Sequence, residues 1–221
     1  MKYREGRGYE NLHKAQFPGV GPYDFPRVRP CRYAGGVEFI PWSEALQTRD
    51  RKGKGTHFFL DDYRFIRLWN NIDRYIPILQ EFEYVMAPDF SLFADYPIAL
   101  QIYNHYRCNW VCAYMQDHNI NVIPVPNWST RESFEWCFDG DPVGGAVALS
   151  AVGTQQNRIS KEAFMEGYDE MLRRLRPDTI IFYGKAPDGC EGNIIEIGQY
   201  SDRFKRMRIA PIPGSATASG E

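Results

Sequence analysis

The sequence predicts an α/β fold on a mainly parallel sheet, with alternating helices. From residue 56 onward, short apolar runs of strand length alternate with longer amphipathic stretches, the mark of strand-helix-strand units. The runs are apolar at nearly every position, as suits strands covered on both faces. The length, 221 residues, fits one large core. Six or seven strands are too few for a closed eight-stranded barrel of about 250 residues, which leaves an open Rossmann-like sheet or an incomplete TIM-like barrel.

Along the chain, Gly6, Gly8, Pro18, Gly19, Gly21, Pro22, Pro26, Pro30, Gly35 and Gly36 interrupt any regular element, so residues 1–36 are expected to form an irregular arm. Residues 37–42 read as a short strand and 49–55 as an exposed, charged and flexible loop. Strands follow at 57–60, 84–87, 121–125, 146–149 and 179–183, and 194–197 closes or edges the sheet. Helices are expected over about 62–82, 96–118, 129–138 and 160–176. Asp62 is the expected cap of the first and Asp95 of the second, where Pro97 suits the opening turn; Ser129-Thr130-Arg131-Glu132 has capping-box spacing, and Ser160 caps the last. In that last helix Phe164, Tyr168, Met171, Leu172 and Leu175 share one face, while Glu166, Asp169, Arg173 and Arg174 point away. The division is therefore an arm over 1–36, one α/β domain over 37–210, and a tail over 211–221 whose Gly, Ser, Ala and Thr predict disorder.

The formal charge of −2 conceals an asymmetry. Residues 1–56 carry 11 Lys and Arg against 6 Asp and Glu, and residues 57–221 carry 15 against 22. A basic arm beside an acidic body can meet nucleic acid or pack against that body. Cys31, Cys108, Cys112, Cys137 and Cys190 contain no CxxC pair and are odd in number, which favours reduced thiols. The amino terminus lacks the apolar stretch of a signal peptide, and no run approaches the roughly 20 residues of a membrane span, so a cytoplasmic protein without a membrane partner is expected.

In a parallel sheet the loops after the strands share one edge, where helix amino termini direct free N–H groups. The residues at that edge are Asp61 and Asp62; Asp89, Phe90 and Ser91; Asn127, Trp128 and Ser129; Ser150, Gly153 and Thr154; and Tyr183, Gly184 and Lys185. Asp61 and Asp89, from successive strands, have the chemistry to hold magnesium or divide acid and base roles. The plainer alternative is that Asp62 caps a helix and Asp89 braces a loop. Ser150, Gly153 and Thr154, like Tyr183, Gly184 and Lys185, lie in small-residue turns that suit a phosphate and equally suit any tight turn; neither matches the P-loop pattern. Trp128 and Phe90 sit where a base or sugar would stack. His105, Cys108 and Cys112 fall on one helical face, a spacing that fits a metal but fits small core residues better.

Several motifs occur together: residues 57–65 (HFFLDDYRF), 68–70 (LWN), 88–91 (PDFS), 99–104 (ALQIYN), 126–129 (PNWS), 138–140 (FDG) and 150–153 (SAVG). In this order they resemble domain-of-unknown-function family 4417, whose members look like phage, prophage and mobile-element proteins. The resemblance spans about residues 9–185. It implies a setting in which replication, nucleotide processing and suppression of host defence are the tasks, and it transfers no activity. The leading expectation is a hydrolase-like or transferase-like enzyme on a nucleotide- or phosphate-containing substrate, with Asp61 and Asp89 as acid, base or magnesium ligands. Trp128 and Phe90 would stack, and Ser150, Gly153 and Lys185 would hold phosphate. The alternative is a non-catalytic binding protein: a host-defence inhibitor, a ligand-sequestering protein or a DNA-replication accessory. It would capture a host protein or nucleic acid through the arm and the 49–55 loop.

Overall fold

The structure, a computed structural model, describes residues 9–198. The disorder expected over 211–221 lies outside the described residues. A hairpin of β1 (Gly19–Val20) and β2 (Phe25–Pro26) precedes β3 (Glu38–Pro41), the single turn α1 (Trp42–Ala45), β4 (Lys54–His57), α2 (Asp62–Asn70) and the turn α3 (Ile76–Leu79). Then come β5 (Tyr84–Met86), α4 (Ile98–Asp117), β6 (Val122–Ile123), β7 (Ala146–Ser150), α5 (Arg158–Leu175), β8 (Thr179–Tyr183) and β9 (Ile194–Ile197).

Strands β3-β4-β5-β6 form one parallel sheet and β7-β8-β9 a second. The expected mixed α/β architecture with parallel strands is present. The Ala148 N–H donates to the Pro124 carbonyl (2.9 Å), so the chain just after β6 hydrogen-bonds to β7 and joins the sheets. Alternation along β7 and β8 then sorts side chains into two cores, as a period of two requires. Val147, Leu149, Ile180 and Phe182 pack with Phe164, Tyr168, Met171 and Leu175 of α5. Ala146, Ala148, Ile181 and Tyr183 face the other way and join the core of the first sheet. At β4, a Cβ on Gly55 would lie 2.3 Å from the Phe39 ring, so only glycine lets that ring cross the strand.

Helix α4 is buried nearly all round, and several of its polar side chains hydrogen-bond to backbone outside the helix. The Gln116 side chain exchanges two hydrogen bonds with the Arg29 backbone (2.9 and 2.7 Å), and the Trp110 indole donates to the Ala15 carbonyl (3.1 Å). Phe25 is fully buried, and the Cys31 carbonyl accepts from the Ala146 N–H (2.7 Å). Residues 9–36 therefore pack against the body, one of the two outcomes the charge asymmetry allowed.

Several expected boundaries are corrected. The helix expected over 62–82 breaks at Asn71 (φ −153°), passes through a 3-10 turn at Ile72–Arg74 and restarts as α3, where Pro77 supplies no N–H to continue an earlier helix. The strand placed at 57–60 lies at Lys54–His57, so Lys54 and Gly55 belong to the sheet and not to the charged loop. The segment expected as a helix over 129–138 is only a 3-10 turn, Arg131–Glu135, ended where the backbone leaves helical geometry at Trp136 (φ −143°). Asp62 is the first residue of α2 and not its cap, Pro97 precedes α4 in place of Asp95, and Asn157, accepting from the Ser160 N–H (2.9 Å), caps α5 in place of Ser160. No helix among the described residues is long and apolar enough to cross a membrane.

Candidate functional site

The segments following β4, β5, β6 and β7 converge on a cleft of about 350 Å³ that is closed on one side by the first turns of α5. Its lining includes Phe59, Asp89, Asn127, Trp128, Ser129, Ser150, Gly153, Thr154, Ser160 and Phe164. Seven of the residues selected from the sequence are thus brought together: Asp89, Asn127, Trp128, Ser129, Ser150, Gly153 and Thr154.

Among the described residues that line the cleft, Asp89 is the only ionisable one. Its side chain accepts a hydrogen bond from Asn127 Nδ2 (2.8 Å). Burial and then the nearby Asp62 charge push its pKa up to about 7, against the opposing Asn127 hydrogen bond. Asp62 reaches the same loop from the start of α2, its carboxylate accepting from Ser91 Oγ (2.9 Å) and from the Ser91 N–H (3.3 Å). The acid beside Asp89 is therefore Asp62. Asp61 instead points outward, 67% exposed, 3.4 Å from Arg64.

Behind the loop stands Arg107, a buried residue of α4 that the sequence reading passed over. Its guanidinium lies 3.9 Å from the Phe90 ring centroid, 4.8 Å from Tyr103 and 6.0 Å from Trp69, and it donates to Asn104 Oδ1. Asn104 Nδ2 in turn donates to the Ser91 carbonyl (2.7 Å). Hydrogen bonds thus run from Arg107 through Asn104 and Ser91 to Asp62, and Phe90, fully buried, fills the core behind the cleft and offers no face to a ligand. The available signal was the one arginine in a helical stretch, 98–116, that has no Asp, Glu or Lys to pair it, which demands a compensating environment.

Trp128 forms the opposite wall. A Cβ on Gly167 of α5 would fall 2.1 Å from its Nε1, so the indole rests directly on the helix backbone, braced by Phe164 at 5.3 Å between ring centroids. Trp128 remains half-buried, with an edge on the cleft.

The residues expected to hold phosphate are differently engaged. Ser150 Oγ accepts from the Val152 N–H (3.2 Å) and Thr154 Oγ1 donates to the Ala151 carbonyl (2.8 Å), so both brace their own turn. Lys185 is exposed and outside the lining, and Tyr183 is buried with its ring stacked on Phe59 (5.3 Å) and close to His57 (4.6 Å). Asp61 and Asp89 do not form the shared magnesium pair expected of them, because Asp61 faces solvent beside Arg64 while Asp89 lines the cleft beside Asn127. His105 Nε2 lies 2.9 Å from the Asp139 carbonyl, and burial raises the Cys108 and Cys112 thiols, so that helical face is core.

Fold and cleft together define an α/β protein of the parallel-sheet class with a raised-pKa carboxyl and a tryptophan at the strand ends. The chain belongs to the family described as Domain of unknown function (DUF4417), whose model matches residues 17–201. It is 34% identical over 197 residues to "Gene 1 protein" of Mycobacterium phage D29, covering 87% of this chain and 72% of that protein. It is 33% identical over 199 residues to "Gene 1 protein" of Mycobacterium phage L5, covering 87% and 84%. No solved structure matches the chain. The phage-type family that the ordered motifs resembled is thus the one the chain belongs to.

Proposed function

We propose that this protein is a hydrolase-like or transferase-like enzyme in which Asp89 serves as general acid and base, its proton affinity raised by burial and then by the charge of Asp62, on a nucleoside- or sugar-like group held against Trp128. The observation that carries this reading is Asp89 itself: a cleft-lining carboxyl, hydrogen-bonded by Asn127 and close to Asp62, whose pKa burial pushes up toward neutrality, so that it can both give and accept a proton. Among the described residues the lining has one carboxyl, amide and hydroxyl groups, and no Lys or Arg, which favours an uncharged polar ring over a phosphate in the cleft. The same reading takes the strands as an incomplete barrel, supported by the Ala148–Pro124 link and by the contact of His57 on β4 with Tyr183 on β8.

The test is a panel of nucleosides and free sugars followed by NMR for both binding and product, with wild type and Asp89→Asn compared. Turnover lost in the variant while binding persists supports the reading; equal turnover removes Asp89 from the chemistry. A second reading, ligand sequestration without turnover, is favoured by the exposed Phe93 and Val152 beside the cleft, a greasy rim that suits capture. It predicts a ligand that binds and is recovered unchanged.

A further inference from the structure

A second groove, of about 430 Å³, lies between α1 and α2 and shares no lining residue with the cleft. Its lining is the chemical complement of the first. Arg64 and Arg67 of α2 project into it beside Ser43, Gln47 and Tyr63, and no carboxylate is among the described residues of the lining. Trp42 forms a wall; it is 1% exposed, and its indole N–H is buried without an acceptor among the described residues.

Arg64, in the first turn of α2, occupies a position that the helix dipole disfavours, whereas Arg67 lies in the last turn, where the dipole favours a cation and only the like charge of Arg64 opposes it. Asp61 offsets part of this at 3.4 Å, but through one exposed pair in which both side chains are about half or more solvent-accessible, an arrangement worth little. Arg67 has no ion pair among the described residues. An oxyanion seated between the guanidinium groups removes both penalties and accepts the forked N–H donors that arginine presents.

We infer that the α1–α2 groove is an anion-binding site for a phosphate group, with Arg64 and Arg67 as its ligands. The site stands apart from the Asp89 reading: it uses none of the cleft's residues and survives if Asp89 proves inert. It supplies the cationic surface that the cleft lacks, at the same edge of the sheet.

The experiment follows the side-chain Nε–Hε signals of Arg64 and Arg67 by ¹⁵N NMR, at constant ionic strength. The additions are inorganic phosphate, a nucleoside 5′-monophosphate, the parent nucleoside and, as control, chloride. The expected result is a saturable shift of both arginines with either phosphate compound and none with nucleoside or chloride. Affinity should fall about tenfold in Arg67→Gln and further in the Arg64→Gln/Arg67→Gln double variant, since each loses a charge-assisted hydrogen bond. Both side chains are on the surface, so the variants fold, which the backbone spectrum checks. A linear, unsaturable response, an equal response to chloride, or unchanged affinity in the double variant overturns the inference. Tighter binding of the monophosphate than of inorganic phosphate identifies a nucleotide source; equal binding identifies free phosphate.

Discussion

Replacing Asp89 with asparagine reads the environment of the candidate site through stability, without any substrate. The carboxyl has a pKa of about 7 when folded and 3.8 as its ordinary value. Because the folded value is raised, its contribution to stability is fully present below pH 3.8 and is lost as pH rises through 7. The penalty for the acid relative to a neutral isostere therefore grows by about 1.4 kcal/mol per pH unit across that window and levels near roughly 4 kcal/mol above it. In Asp89→Asn the new amide oxygen can still accept from Asn127, so the fold is retained. Urea unfolding at pH 5 and pH 8 of both proteins gives the difference in which other titrating groups largely cancel. Asp89→Asn is expected to be the more stable protein at both pH values, with its advantage about 2–3 kcal/mol larger at pH 8, or roughly 5–10 °C in Tm for a domain of this size. A difference that does not change with pH would show that the carboxyl is solvated and unaffected by Asp62, and the acid-base proposal would fall with it.

Gly167→Ala is expected to shift Trp128 off α5, lowering ligand affinity in the cleft about tenfold even though alanine is the better helix former; unchanged Trp128 ring signals and affinity would show the contact to be dispensable. Arg107→Gln should destabilise the fold by about 2 kcal/mol, because three aromatic rings lose their cation, and should speed hydrogen exchange at the loop holding Ser91; exchange confined to the wild-type rate refutes the relay through Asn104. His57 and His105 are buried, with pKa values pushed down from 6.5 to about 3 and about 4. Their contribution is present above pH 6.5 and is lost as pH falls toward those values, on the order of 5 kcal/mol for His57 and about 3 kcal/mol for His105, so His57→Gln should flatten the acid limb of stability against pH. An identical acid limb in the variant would place the loss elsewhere.

The order and type of most elements were legible because they depend on local pattern. Near-continuous apolar runs at 146–149 and 179–183 have no stable place except a strand covered on both faces, and the 3.6-residue stripe through Phe164, Tyr168 and Met171 has one face to bury; β7, β8 and α5 follow. The site was partly legible for the same reason, since parallel connectivity places every strand-end loop on one edge, and Asp89, Asn127 and Trp128 meet there. Local pattern does not say which way a side chain turns once two elements are packed. Asp61 and Asp62 are neighbours of the same type, yet Asp61, in extended backbone just before α2, goes to solvent, and Asp62, the first helical residue, reaches the loop beside Asp89. Only tertiary packing decided that Phe90 is core behind the cleft, that Arg107 is caged 3.9 Å from it, and that a missing Cβ at Gly167 seats Trp128. The shift of the Asp89 proton likewise exists only in the fold, because desolvation and the charge of a residue distant in sequence are properties of the assembled interior.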